Sequence, residues 1–237
     1  MVREIHERQE TMTQVTFGNS TLILGDAYEI ATSLGPFDAM VTDPQYDFNT
    51  SGGGKMRKER KCLEKIREKG LDKGFDHAII NSLLYRSVFV FCHDDQLPKL
   101  LPYIAGSYNR HRICFWQKRN PMPVANKNYQ PEIEPYIHAW NAGGHPDGSL
   151  ADKKRVVLTN NGKSEFDHPT VKPLEVMEKI MRNVNGDSVI DPFAGTFSTG
   201  VAAMRHGKKF VGIERDPEYF AIGVKRMEEE HKKLLTE

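Results

Sequence analysis

Short apolar runs alternate with segments of helical periodicity along almost the whole of this 237-residue chain. Such alternation is typical of an α/β fold in which helices connect parallel strands. The predicted strands are Thr21–Leu24, Phe37–Thr42, Ser87–Cys92, Arg112–Trp116, Tyr136–Trp140, Val156–Thr159, Ser188–Ile190 and Lys209–Ile213. The predicted helices are Ala27–Leu34, Asp76–Arg86, Asp94–Ile104, Pro173–Val184, Thr199–His206 and Pro217–Leu235. We therefore expect a mostly parallel twisted sheet with helices on both faces, where ligands bind beyond the carboxyl ends of the strands.

The composition is that of an ordinary globular protein, with 38% hydrophobic and 27% charged residues. No apolar run approaches the roughly 20 residues of a membrane span, and the polar N-terminal segment does not resemble a secretory signal. The cysteines, Cys62, Cys92 and Cys114, are scattered without CxxC spacing, which favours reduced thiols over a disulfide scaffold or a metal site. We expect a cytoplasmic protein, encoded by a prokaryote or a phage, that binds no membrane and no metal.

The first candidate site lies in residues 41–50, which read VTDPQYDFNT. A predicted strand ends in Asp43, and Pro44, Gln45 and Tyr46 follow before a glycine-rich loop. Asp and Pro are common turn residues, so an ordinary strand-to-turn junction is one explanation. A carboxylate beside an aromatic ring at a strand end is also suited to holding a ligand, and the segment alone does not decide between the two.

The second candidate site lies in residues 187–216, where a strand, a small-residue turn, a helix and a second strand follow one another. Gly195 lets the backbone approach a ligand closely, and the turn opens onto a helix N-terminus with free N–H groups. Glu214 ends the second strand, a position from which a carboxylate can accept hydrogen bonds from both hydroxyls of a ribose. The combination favours a nucleotide-like cofactor over a bare strand-to-helix turn with a surface acid.

Five segments resemble motifs of the S-adenosylmethionine-dependent DNA amino-methyltransferases. DPFAGTFST at 191–199 resembles the cofactor motif DPFAGxGTT, DPQY at 43–46 the catalytic motif DPPY, and HPTVKP at 168–173 the motif HPTxKP. LILGDAYEI at 22–30 is similar to an N-terminal GD segment, and FWQKRNPMP at 115–123 to a W-x-K-x-N-P-x-P segment. Five matches in one order are far more specific than one. The resemblance covers roughly residues 20–225 and places the catalytic half first, as in the permuted beta group.

The resemblance implies a single Rossmann-like methyltransferase domain that transfers a methyl group from S-adenosyl-L-methionine to the amine of a flipped base. Asp43 is expected to accept one N–H of this weakly nucleophilic amine, and the carbonyl of Pro44 or Gln45 the other. Tyr46 is expected to stack on the extruded base. The expected catalytic residues are Asp43, Pro44, Gln45 and Tyr46.

The resemblance also implies a set of cofactor contacts. Asp191, Phe193 and Gly195 are expected on the methionine side, Glu214 at the ribose, and Asp26 at the adenine amine. The cofactor's amino-acid end is assigned to His168, Thr170 and Lys172. The full expected set is Asp26, Asp43, His168, Thr170, Lys172, Asp191, Phe193, Gly195 and Glu214. Alternatives stay open, because Asp26 also suits a helix cap and His168 a loop carbonyl.

Double-stranded DNA is the expected partner, because basic residues form two islands in a chain of net charge +1. Residues 55–73 hold nine Lys/Arg against four Asp/Glu, and residues 110–128 hold five Lys/Arg and no acid. The first island also suits a solvated helix with Glu–Lys pairs. The expected DNA contacts are Lys55, Arg57, Lys58, Arg60, Lys61, Lys118 and Arg119. A homodimer is a further expectation.

Two residues depart from the motifs. Gln45 replaces the second proline of DPPY, which keeps the backbone carbonyl but loses the stiffness of the ring. Phe197 replaces the second glycine of the cofactor turn, so its side chain must point away from the cofactor or fill space beside it. Phe193 and Phe197 also suit core positions.

The DPxY form favours adenine N6 as the target, with cytosine N4 as an alternative. The rivals from other classes are a protein-glutamine methyltransferase, whose motif is NPPY, and an inactive DNA-binding relative. Within the domain, the prediction places a flexible tail at 1–14, a catalytic half at 21–140, a recognition loop at 141–167 and a cofactor half at 168–230.

Overall fold

The computed structural model describes residues 13–47, 74–121, 129–160 and 171–236. Within them, strands and helices alternate as the sequence predicts. The strands are β1 Thr13–Phe17, β2 Ser20–Leu24, β3 Phe37–Thr42, β4 Tyr85–Phe91, β5 Arg110–Lys118, β6 Ile133–Trp140, β7 Val156–Thr159, β8 Ser188–Asp191 and β9 Lys209–Glu214. The helices are α1 Ala27–Ile30, α2 Leu97–Ser107, α3 Leu174–Asn183, α4 Ser198–Arg205 and α5 Pro217–Leu234. Short 3-10 turns adjoin α1 and α2.

All these strands form one sheet, in the order β1-β2-β9-β8-β3-β4-β6-β5-β7. The pairings from β2 through β9, β8 and β3 to β4 are parallel, and so is that of β5 with β7. The β1–β2, β4–β6 and β5–β6 pairings are antiparallel. The prediction of a mostly parallel sheet is therefore confirmed for the described residues.

The sheet is covered on both faces because its central strands are apolar on both sides. On β3, Ala39 and Val41 belong to one core cluster, which includes apolar residues of α3, α4 and α5. Met40, between them, belongs to the other cluster, which includes residues of α1 and α2. This two-sided cover leaves the carboxyl ends of the parallel strands free to form a site.

One predicted helix is wrong, and one strand was not predicted. Residues 76–86 do not form a helix, because Asn81 makes a turn in which its side chain accepts from Leu83 N and its carbonyl from Tyr85 N. A 3-10 turn covers only His77–Ile79, and β4 begins at Tyr85. The strand β1 was missed, and it takes in the last residues of the predicted flexible tail. Its cue is the Gly-Asn pair at 18–19, a typical two-residue hairpin turn.

Candidate active site

A cleft runs along the sheet edge where β2, β9, β8 and β3 end, and an acidic residue stands at or just beyond the end of each strand. The four acids are Asp26 after β2, Glu214 at the end of β9, Asp191 at the end of β8 and Asp43 after β3. All four line the same cleft, together with Tyr46, Lys172, Phe193 and Gly195. They meet there because the four strands are neighbours and run parallel. The structure thus brings together most of the described residues that the sequence assigned to the site.

Asp191 is buried and held by the protein on both of its oxygens. Oδ1 accepts hydrogen bonds from the Thr42 hydroxyl at 2.8 Å and from Phe193 N at 3.1 Å. Oδ2 accepts one from the Thr199 hydroxyl at 2.6 Å. Burial raises the pKa of Asp191 to about 7, although these donors pull it in the opposite direction. Asp191 is therefore near the balance between its neutral and charged forms at neutral pH.

Asp43 lies directly after Thr42, and both oxygens of its carboxylate accept hydrogen bonds. The Tyr46 hydroxyl lies 2.9 Å from Oδ1, and the Lys172 ammonium donates to Oδ2 at 2.6 Å. The side chain of Lys172 is only 6% exposed, so the pair is shielded from water. Burial and the nearby charge of Glu134 raise the pKa of Asp43, against the attraction of Lys172. The acid combines a raised proton affinity with a fixed orientation.

Glu134 is a nearly buried acid in contact with the predicted site residues, and it was not assigned to the site from the sequence. Its Oε1 lies 2.6 Å from Lys172 Nζ and 2.7 Å from the Tyr46 hydroxyl, and its Oε2 lies 3.0 Å from Lys118 Nζ. The only sequence signal is an acid near the start of the otherwise largely apolar strand β6, IEPYIHAW. The strand predicted from the sequence begins at Tyr136 and does not include Glu134.

Charge interactions within this group move its pKa values in opposite directions. Burial alone would raise the pKa of Glu134, but Lys172 and Lys118 outweigh it and lower the pKa to about 2. Burial likewise opposes the charge on Lys172, yet Asp43 and Glu134 together raise the pKa of its ammonium. Burial and both carboxylates raise the pKa of Tyr46, so its phenol stays protonated. The group, which we call the Asp43–Glu134 cluster (Asp43, Tyr46, Lys118, Glu134 and Lys172), contains two anions and two cations.

These contacts bear on the predicted roles of Lys172, Lys118 and Tyr46. Lys172 lies in the cleft, but its ammonium is paired with Asp43 and Glu134, which does not favour the predicted contact with a cofactor carboxylate. Lys118 is 17% exposed and is paired with Glu134, which does not favour the predicted contact with DNA phosphate. The hydroxyl of Tyr46 belongs to the cluster, and the predicted stacking of its ring on a base stays a prediction. Arg119 is exposed, as a DNA contact requires.

The turn at Asp43–Tyr46 lacks the second proline of the motif, and a hydrogen bond from Gln96 contacts it at that position. The buried amide of Gln96 donates from Nε2 to the Gln45 carbonyl at 3.3 Å. Its own Oε1 accepts from His93 N at 2.9 Å, which fixes the amide at the start of the 3-10 turn after β4. Gln96 therefore supports the turn at Gln45, whose carbonyl keeps a second lone pair, so the carbonyls of Pro44 and Gln45 both stay candidate acceptors for a ligand.

Glu214 joins the end of β9 to the turn after β8. Its Oε2 accepts from Gly195 N at 2.8 Å and its Oε1 from Asp216 N at 2.7 Å. Burial raises the pKa of Glu214, although these backbone donors lower it. Gly195 has φ +52, a left-handed conformation that favours glycine. A third backbone hydrogen bond, from Arg215, uses another of the roughly four acceptor positions of the carboxylate, so the contact of Glu214 with ribose hydroxyls stays a prediction.

Asp26 caps the N-terminus of α1, since its side chain accepts a hydrogen bond from Tyr28 N at 2.8 Å. The helix cap is the alternative to a cofactor contact that the sequence left open. Asp26 also lines the cleft, so a cofactor contact stays a prediction.

The two phenylalanines of the cofactor motif, Phe193 and Phe197, lie in different places. Phe193 lines the cleft and packs edge-on against Tyr28, whereas Phe197 is fully buried outside it.

Phe197 points into the core, where its ring packs edge-on against Phe210 and Phe220. Its backbone has φ 62, which costs of order 1 kcal/mol or more for a residue other than glycine. Gly212 and Gly223 make room, because a Cβ at either position would overlap the ring. Nearby, Arg226 Nη1 donates to the Thr196 carbonyl at 2.5 Å and holds the same turn.

Seven of the residues predicted to bind DNA or cofactor lie outside the described residues. They are Lys55, Arg57, Lys58, Arg60, Lys61, His168 and Thr170. None of the helices in the described part of the chain combines the length and the apolar run needed to cross a membrane.

A mostly parallel α/β sheet with a cleft beyond the carboxyl ends of its strands is the arrangement in which doubly wound folds bind nucleotide ligands. The family model N6_N4_Mtase, described as DNA methylase, matches residues 85–225, and the chain belongs to this family. That match includes Glu134, Lys172, Asp191 and Glu214 and begins after Asp43.

Similar curated proteins include the type II methyltransferase M2.DpnII of Streptococcus pneumoniae, 43% identical over 134 residues, or 49% of this chain and 50% of that protein. The DNA adenine methyltransferase YhdJ of Escherichia coli K12 is 44% identical over 63 residues, or 26% of this chain and 21% of that protein. This chain therefore matches half or less of the length of these relatives.

Among solved structures, the M1.HpyAVI–SAM complex is similar with a TM-score of 0.63 and 26% identity, covering 87% of this chain and 99% of that one. The cytosine-N4-specific PvuII DNA methyltransferase has a TM-score of 0.61 at 15% identity, covering 93% and 94%. The latter likeness shows the fold alone.

Proposed function

We propose that this chain is a DNA methyltransferase that moves a methyl group from S-adenosyl-L-methionine to the exocyclic amine of a flipped base, with adenine N6 as the target. The observation that carries the proposal is the position of Asp43 in the same cleft as Asp191, Gly195 and Glu214. One end of this cleft suits a nucleoside cofactor, and the other presents an oriented carboxylate to an amine.

The residues of the cleft fit the cofactor. Glu214 offers acceptor oxygens for ribose hydroxyls, and Phe193 offers an aromatic face beside Tyr28. The left-handed Gly195 has no Cβ to block the turn, and the bulky Phe197 is turned into the core. When bound, the cofactor supplies an electrophilic methyl group on a positively charged sulfur. The acids of the cleft are electrostatically complementary to that charge.

Asp43 and the carbonyl of Pro44 or Gln45 supply the acceptors that the amine needs. Its lone pair is delocalised into the base, and two acceptors on its N–H groups favour a pyramidal nitrogen with a localised pair. The bound cofactor would supply the methyl group as an electrophile, and the amine nitrogen that receives it would have to lose one proton. Asp43 is the acceptor within the chain for that proton, in agreement with its raised pKa.

Adenine is preferred over cytosine because of the DPxY form of the motif and because YhdJ, similar over part of the chain, is named a DNA adenine methyltransferase. The target lies inside a duplex and must be extruded, which costs a few kcal/mol. The exposed Arg119 and the basic segment 55–73 provide positive charge for the DNA backbone.

The test is incubation with tritium-methyl S-adenosylmethionine and unmethylated duplex DNA, followed by digestion of the DNA to nucleosides. We expect label in N6-methyl-2′-deoxyadenosine. Label in N4-methyl-2′-deoxycytidine would assign the alternative base, and label only in protein would assign the glutamine methyltransferase. DNA binding without label would assign the inactive relative.

We also propose a homodimer in the cytoplasm, and light scattering of the purified protein tests the dimer.

A further inference from the structure

The carboxylate proposed to grip the target amine has both of its oxygens in use. Tyr46 Oη lies 2.9 Å from Asp43 Oδ1, and Lys172 donates to Oδ2 at 2.6 Å. An incoming amine must displace at least one of these donors or share its oxygen. In a buried site a displaced ammonium without another partner is costly, because a charge removed from both water and its counter-ion is destabilising.

Glu134 offers both donors a second acceptor at the same distance or closer. Its Oε1 lies 2.6 Å from Lys172 Nζ and 2.7 Å from Tyr46 Oη. The phenol of Tyr46 has one proton, so it donates to only one of the two carboxylates at a time. The Tyr46 hydroxyl can therefore donate either to Asp43 or to Glu134.

From these contacts we propose that Glu134 is a positioning residue for methyl transfer, which takes over the hydrogen bonds of Lys172 and Tyr46 when the target amine occupies Asp43. The inference rests on the proposed function. Lys118 holds the other oxygen, Oε2, at 3.0 Å and so fixes the orientation of the carboxylate. The exchange moves hydrogen bonds within a group of two anions and two cations and leaves its net charge unchanged.

Several ionisable groups face Asp43 and determine how the exchange depends on pH. Lys172, Glu134 and Tyr46 contact it directly, and Lys118 acts through Glu134. Asp191 and Cys92 interact with it electrostatically, and the ring of His93 lies 6.4 Å from that of Tyr46. Burial and Glu134 together raise the pKa of Asp43, so removal of the Glu134 charge lowers the pKa of Asp43.

The experiment measures single-turnover transfer of a tritium-labelled methyl group to duplex DNA between pH 5 and 9, with cofactor affinity measured separately by calorimetry. Glu134→Ala is expected to slow transfer by about 100-fold, as for a misplaced reacting group. Cofactor affinity is expected to change less than about twofold, since the substitution removes transition-state positioning and not ground-state binding. Glu229→Gln, on the exposed side of α5, is the matched control and keeps the wild-type rate.

Two further variants keep the test decisive if Glu134→Ala does not fold. Glu134→Gln keeps an acceptor oxygen but removes the charge, and it should move the acid limb of the rate to lower pH. Lys118→Met removes a cation whose Nζ lies 4.8 Å from the centre of the Trp116 ring, and it should move that limb to higher pH. Wild-type profiles in the Glu134 variants would overturn this inference while leaving the proposed function intact. No label from the wild-type protein would overturn the proposed function itself.

Discussion

The hydroxyl of Thr42 donates a hydrogen bond of 2.8 Å to Oδ1 of Asp191, and this bond joins the ends of β3 and β8 inside the sheet. The two strands pair in parallel through Ala39 with Val189 and Met40 with Ile190, so their ends are in register. Thr42 is followed at once by Asp43. The bond therefore fixes the distance between the acid expected at the cofactor and the acid expected at the target amine.

Asp191→Asn is expected to change how stability depends on pH. The unfolded chain has an Asp pKa near the ordinary value of 3.8, and burial raises the folded value to about 7. The folded state then binds the proton more tightly, so the wild-type protein loses stability as pH rises through this interval and levels off above it. Urea unfolding of both proteins at several pH values measures this, and the variant should lack that loss. Equal slopes for both proteins would contradict the assigned pKa.

Phe197→Gly is expected to be less destabilising than Phe197→Ala. Both remove a buried ring, at a cost of about 3–5 kcal/mol. Only glycine relieves the left-handed backbone at φ 62, which should favour it by about 1 kcal/mol over alanine. Denaturant titration of the two variants measures the difference directly. If alanine is the more stable of the two, the left-handed backbone is not a source of strain.

Gln96→Ala is expected to slow methyl transfer by about tenfold with little effect on cofactor affinity, because it frees the turn that carries Asp43. Gln45→Pro restores the ring that the resembling motif carries and should make the turn stiffer. The double variant should therefore lose less activity than Gln96→Ala alone. A simple sum of the two single effects would show that Gln96 does not act through the turn.

Arg119→Gln and Lys118→Gln are expected to affect DNA binding differently, although the two residues are adjacent. Arg119 is exposed, and its loss should lower the salt dependence of binding by about one phosphate contact. Lys118 is paired with Glu134, so its loss should leave that dependence unchanged. Binding measured at several salt concentrations tests both, and a reduced slope for Lys118→Gln would return this residue to the DNA surface.

The sequence predicted the alternation of strands and helices and the acids at the strand ends, because these depend on local periodicity and on turn chemistry. It did not predict the role of Glu134, whose meaning arises only when β6 brings it to Lys172, 38 positions later in the chain. The pairing of Lys118 and Lys172 with Glu134 was likewise not predicted. A basic residue is visible in a sequence, but its counter-ion is set by tertiary packing.

The proposed methyl transfer depends most on the carboxylate of Asp43. The direct measurement is methyl transfer from tritium-labelled S-adenosylmethionine to duplex DNA by the wild-type protein, Asp43→Ala and Asp47→Ala. Asp47 lies on the same turn, is exposed and pairs with Lys99 at 3.5 Å, which makes it a matched control. We predict that label in DNA disappears with Asp43→Ala and persists with Asp47→Ala, which should also keep cofactor affinity within about threefold. Undiminished labelling by Asp43→Ala would contradict the account.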